Sequence, residues 1–223
     1  MMILLVLAVW GMILQGTFIA EESRERYVPA VILKGSASLV FVLIGCIAYR
    51  SSTAAGGGRI LAGLALGALG DILLNLRYLS EKYGQKIFLA GIAAFLAGHI
   101  MYLVAIIPLS DNLVISVIAG VVIAALLLAY IFRTMDVKTA FKIFGIFYIG
   151  AVVIMTAVAV GNYISVHDSF RLMFAAGAIL FTVSDIVLIF NTFGGETKLS
   201  RRIINLSFYY AAQLLIAFSI LFS

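Results

Sequence analysis

The chain has 223 residues, 64% of them hydrophobic and 11% charged, where a soluble domain has about 45–50% apolar and about 25% charged residues. With a mean hydropathy of +1.19, it reads as a membrane protein. Eight spans of roughly 20 apolar residues leave about 60 residues for all connections and both ends. That excludes a folded ectodomain, a cytosolic enzyme on a single anchor, and a nucleic-acid binder using the net charge of +5.

Charge clusters and Gly-rich breaks place the helices at 1–20, 30–49, 59–77, 86–107, 112–132, 141–160, 170–191 and 203–222. The fold class expected is an all-α integral membrane protein of eight transmembrane helices forming a single domain. The first span lacks a basic n-region, is too apolar for too long, and has no A-x-A site before Glu21, so it is read as a span and not a signal peptide. The second carries Lys34 and a lone cysteine, Cys46, read as a small buried hydrophobe. Gly56, Gly57 and Gly58 form a turn without the spacing of a phosphate loop. The third helix carries Asp71 with Asn75 four residues on, and a small-residue stripe of Gly63, Gly67 and Gly70 suited to close helix packing. The fourth brings His99 and Tyr102, the sixth Tyr148, the seventh Ser184 and Asp185, and the eighth Tyr209, Tyr210 and Gln213. Ser165, His167 and Asp168 share a short outer connection, too close in sequence for the geometry of a catalytic trio. With one histidine inside a span, no zinc site is expected.

Eleven of the 15 Lys and Arg residues fall on the odd-numbered connections: Arg24, Arg26, Arg77, Lys82, Lys86, Arg133, Lys138, Lys142, Lys198, Arg201 and Arg202. Only Arg50 and Arg59 fall on the even-numbered ones. By the positive-inside rule the odd connections face the cytoplasm and both termini the opposite side, in what is expected to be a bacterial cytoplasmic membrane. Anionic headgroups account for the rest of the basic charge, and no nucleic-acid partner is implied.

A shift of 114 residues lays the third span on the seventh: Ala62, Gly63, Leu66, Asp71, Ile72 and Leu74 meet Ala176, Gly177, Leu180, Asp185, Ile186 and Leu188. The same shift puts Lys34 on Tyr148, Phe95 on Tyr209, and His99 on Gln213. This suggests two halves, about 1–110 and 111–223, each of four spans and related by an axis along the membrane normal.

Ionisable residues inside spans are costly and mark function by default. From the 1.5 Å rise per residue, Asp71, Asp185, Lys34 and Tyr148 lie roughly 8–10 Å below the cytoplasmic ends, and His99 and Gln213 roughly 15–18 Å. Polar groups from six helices thus gather in one leaflet. Two carboxylates sharing a site ionise together with difficulty, so the pair is expected to hold one proton between them, one acting as acid and the other as base. The alternative is structural: each aspartate pairs with Lys34 or holds a helix contact, while Lys34 itself sits near enough to its helix end to reach the headgroups.

Together these residues resemble the YhhN family, which includes membrane lysoplasmalogenases. The matching positions are Gly70-Asp71 with Leu74; Phe95, Gly98, His99 and Tyr102; Gly177, Ala178, Phe181, Ser184, Asp185 and Leu188; and Tyr209, Tyr210, Ala212 and Gln213. One departure is that Gly35 follows Lys34 where the family commonly has proline. The resemblance implies hydrolysis of the vinyl ether bond of a lysoplasmalogen to a fatty aldehyde and a glycerophospho-ethanolamine or -choline, with no cofactor. Asp71 and Asp185 would be catalytic. Lys34, Asn75, His99, Tyr102, Tyr148, Ser184, Tyr209, Tyr210 and Gln213 would bind the lysophospholipid. Buried carboxylates in parallel repeats also suit a proton-coupled transporter or a lipid-translocating protein, and a lipid-binding scaffold is a third reading. Against a carrier stand the short loops and the position of Pro29 and Pro108 at helix ends.

Overall fold

In hydrocarbon every backbone N–H and C=O must be satisfied within its own segment, and the chain meets this demand with helices throughout. The computed structural model describes residues 2–52, 56–135 and 139–223, and of residues 139–141 the backbone alone. Lys138, counted above among the basic connections, lies outside the described residues. Among the described residues there are eight α-helices and no strands: α1 (Met2–Ser23), α2 (Tyr27–Ser51), α3 (Gly57–Leu76), α4 (Gly84–Ile106), α5 (Leu113–Thr134), α6 (Thr139–Ser165), α7 (Ser169–Phe193) and α8 (Leu199–Ser219). Each is long and apolar enough to cross a membrane, which makes the chain a multi-pass integral membrane protein.

Most helices run a few residues beyond their expected ends, for identifiable reasons. Pro29 falls in the first turn of α2, where its missing N–H removes no helical bond, so the helix starts at Tyr27. Asp168 caps α7, its Oδ1 accepting from the Arg171 backbone N–H at 2.7 Å. Arg201 and Arg202 belong to the first turns of α8, so polar residues excluded by hydropathy alone are helical there. Gly57 and Gly58, expected in a turn, open α3. The helix α2 passes through Gly35 unbroken.

Packing is sequential, α1 on α2, α2 on α3, α3 on α4, and likewise α5 through α8; α2 with α8 and α4 with α6 then join the two series. Large apolar side chains such as Leu5, Ile115, Leu126 and Phe147 are exposed on the outside, where lipid takes the place of water. Inside lie small residues, aromatics and nearly all the intramembrane polar groups, the arrangement expected when packing and hydrogen bonds, not hydrophobicity, join helices.

The glycine stripe of α3 has a definite partner. A Cβ at Gly63 would overlap the Tyr102 ring; at Gly67 it would lie 2.7 Å from Gln213 Nε2, and at Gly70 2.6 Å from Phe95. The stripe therefore seats side chains of α4 and α8 against α3.

Candidate functional site

The two aspartates come from corresponding places on α3 and α7 and are both buried. They line a single cavity of about 180 Å³ together with Lys34, Asn75, Tyr148 and Tyr209. Its remaining wall is divided. Arg77, Arg202 and Asn205 add polarity, while Phe88, Phe132, Phe144, Ile149, Ile189 and Phe193 form an apolar side. Arg77, Phe88, Phe132, Phe144, Phe193 and Arg202 all stand where α3, α4, α5, α6, α7 and α8 meet the odd-numbered connections. The cavity thus extends to the basic end of the bundle, beside the layer of polar groups expected from the sequence.

Asp71 is the more heavily bonded carboxylate. Lys34 Nζ lies 3.3 Å from its Oδ1; Ser38 Oγ and the Tyr209 hydroxyl donate to its Oδ2 at 2.5 and 2.7 Å. Lys34 does not reach for headgroups. It is 1% exposed, donates to Gln15 Oε1 at 3.3 Å, and faces the Tyr209 ring at 4.4 Å. Gln15 in turn donates to the Leu206 carbonyl, so α1 is tied into the site. Asp185 has one donor, the Tyr148 hydroxyl at 2.8 Å, and no ion pair among the described residues. Neither carboxylate is hydrogen-bonded to the other. The expected shared proton has no such bond behind it, and the structural alternative for Asp71, pairing with Lys34, is what the geometry presents.

The other expected site residues stand behind the cavity wall. Tyr102 donates to Gln213 Oε1 at 3.0 Å, and Gln213 Nε2 donates to the Tyr209 hydroxyl at 3.1 Å, completing a relay that ends on Asp71. His99 donates from Nδ1 to the Phe95 carbonyl at 2.7 Å and packs edge-on against Phe181 and Tyr148; its buried Nε2 has no partner among the described residues. Ser184 and Asn205 form a reciprocal clamp between α7 and α8. Tyr210 donates to the Ala37 carbonyl, joining α8 to α2. Asn75, although in the wall, gives its amide to the Asp71 carbonyl one turn back.

Ser38, Gln15, Arg77, Arg202 and Asn205 escaped the sequence reading. Ser38 lies four residues after Lys34 and so on the same helix face, and Gln15 is a polar group deep in an apolar span; both signals were present. Arg77 and Arg202 look like ordinary topology charges until their helices are assembled. In the outer connection, Ser165 accepts from Asn112, His167 packs on Tyr163 and Asp168 caps α7, so each of the three side chains has a structural contact of its own.

This arrangement accompanies a family match over residues 29–220. The chain belongs to the YhhN family. The matched range holds both aspartates, Lys34 and every motif position named above, whereas Gln15 on α1 precedes it. No solved structure matches this YhhN chain.

Proposed function

We propose that this YhhN protein is a lysoplasmalogenase-like ether hydrolase, cleaving the vinyl ether of a lysophospholipid at Asp71 and Asp185. The observation that carries the reading is the pair of buried carboxylates in one mainly apolar cavity, one ion-paired and the other held by a phenol alone. That difference divides the labour. Asp71, facing an ammonium and two hydroxyl donors, is the standing carboxylate. Asp185, with no cation beside it, is the group that carries and delivers a proton.

Asp185 protonates the β-carbon of the vinyl ether, and the resulting oxocarbenium is stabilised by the Asp71 carboxylate, as a carboxyl pair acts on a glycosidic bond. Asp71 then takes a proton from the water that attacks the cationic carbon. When the hemiacetal collapses, Asp71 returns that proton to the departing glycerol oxygen, and the hemiacetal hydroxyl proton restores Asp185. One water is consumed and both carboxyls end as they began. Tyr148 and Tyr209 orient the carboxyls, and the apolar wall takes the start of the chain.

The purified protein, given lysoplasmalogen with no ion gradient, should release fatty aldehyde. Asp185→Asn and Asp71→Asn should each lower kcat by roughly 10³-fold while the protein still elutes as a single species. Full activity in both variants would overturn the mechanism; gradient-dependent lipid flux without aldehyde would establish the carrier instead.

A further inference from the structure

Among the described residues three cations line the cavity: Lys34, Arg77 and Arg202. Two of them are committed. Lys34 is held by Asp71 and Gln15. Arg202 meets Glu22 through two contacts, Nε to Oε2 at 2.9 Å and a terminal nitrogen to Oε1 at 2.5 Å, a fork that occupies both carboxylate oxygens. Arg77 has no carboxylate within ion-pair distance among the described residues. Its guanidinium instead lies over two rings, Tyr78 at 4.6 Å and Phe88 at 4.4 Å, and one terminal nitrogen donates to the Tyr78 hydroxyl at 2.7 Å.

Aromatic contacts engage the faces of the planar guanidinium and leave N–H bonds at its edge for an oxyanion. The side chain is held by packing yet lacks a counter-charge among the described residues, on the rim of a cavity whose interior cation, Lys34, is already matched by Asp71. Arg77 follows Asp71 by six residues, roughly 9 Å along the helix, a separation that the arginine side chain and a glycerol together bridge.

We infer that Arg77 is the phosphate receptor of this site, binding the phosphodiester anion of a lysophospholipid headgroup at the cavity mouth while the ether lies at the aspartates. This rests on the lysolipid reading above. Lys34, buried and neutralising Asp71, positions that carboxylate and leaves the headgroup to Arg77. Arg202, closed by Glu22, forms the neutral part of the rim.

The test is binding to the full chain in nanodiscs, using a radiolabelled lysophospholipid with a saturated ether, which the proposed reaction cannot cleave, beside an alkylglycerol of the same chain length. Arg77→Gln should weaken the phosphate-bearing lipid about 10- to 100-fold, the worth of a charge-assisted hydrogen bond, and leave the alkylglycerol within about twofold. Unchanged binding of the phospholipid overturns the assignment. So does an equal loss for both ligands, which is the signature of a disturbed fold. Inorganic phosphate should fail to displace the labelled lipid; displacement at concentrations that leave alkylglycerol bound would assign Arg77 to free phosphate and overturn the headgroup. Because the probe is not cleaved, a protein that binds it through Arg77 yet hydrolyses nothing would refute the reaction and leave this inference standing.

Discussion

Removing the ammonium of Lys34 leaves the buried Asp71 carboxylate without its ion-pair partner. Breaking a buried pair by deleting one partner costs about 3–5 kcal/mol, whereas replacing both partners with groups of similar volume is often near neutral. Lys34→Met should therefore lower stability in detergent by about 3 kcal/mol, and Asp71→Asn added to it should recover most of that loss. A cycle of thermal unfolding measurements on the two single variants and the double reads this directly; strictly additive losses would mean that the 3.3 Å ion pair carries no coupling. At this scale the sequence was informative about residue types and silent about pairing. Intramembrane charge singled out Lys34, Asp71 and Asp185 on cost alone, but nothing along the chain tells which carboxylate takes the lysine. That depends on the rotation of α2 against α3, which also brings in Ser38 and turns Lys34 inward from the headgroups.

Helices α3 and α4 approach closely because glycine stands on both sides, Gly98 lying with its would-be Cβ 3.1 Å from the Gly63 carbonyl. The gap left at Gly63 holds the Tyr102 ring, from which the hydrogen-bonded relay leads through Gln213 and Tyr209 to Asp71. A methyl group there must push the ring or the helix aside, and overpacking of this kind costs about 1–3 kcal/mol. Gly63→Ala should lower stability by that amount and reduce aldehyde release, whereas Gly16→Ala, on an exposed face of α1 with nothing within 4 Å, should alter neither. Thermal unfolding and turnover of both variants check the contrast; equal behaviour would show that α3 and α4 can separate without consequence. The stripe itself was plain in the sequence as a small-residue pattern. Its partners were not, since a run of glycines marks where something approaches and carries no information about what does. Likewise the helix count followed from hydropathy, while the extra turns of α2, α7 and α8 came from Pro29, the Asp168 cap and the arginines of α8, local features to which an average over apolar residues is blind.

Seen across the whole bundle, contacts recur at the 114-residue offset of the sequence. Gly63 lies against Gly98 and Tyr102, and Gly177 against Ala212 and Ile216; Lys34 meets Asp71 as Tyr148 meets Asp185. These recurrences are what the proposed duplication into two four-helix halves would produce, and the phenol beside Asp185 where Asp71 has an ammonium separates the two aspartates chemically. A four-helix unit is even-numbered, so both halves would enter the membrane from the same side, and the connections after α1, α3, α5 and α7 share one face with the cavity mouth. On the proposed lysolipid reading, the bias of Lys and Arg to that face would set the leaflet from which the substrate enters. With Cys46 replaced by serine, Glu81→Cys lies in the α3–α4 connection and Asp111→Cys in the α4–α5 connection, both at exposed positions. In intact bacterial cells with a permeabilised outer membrane, an impermeant maleimide should label Asp111→Cys at once and Glu81→Cys only after lysis. The reverse pattern would put the mouth, and with it Arg77, on the outer leaflet, and would require the substrate to come from the other side of the membrane.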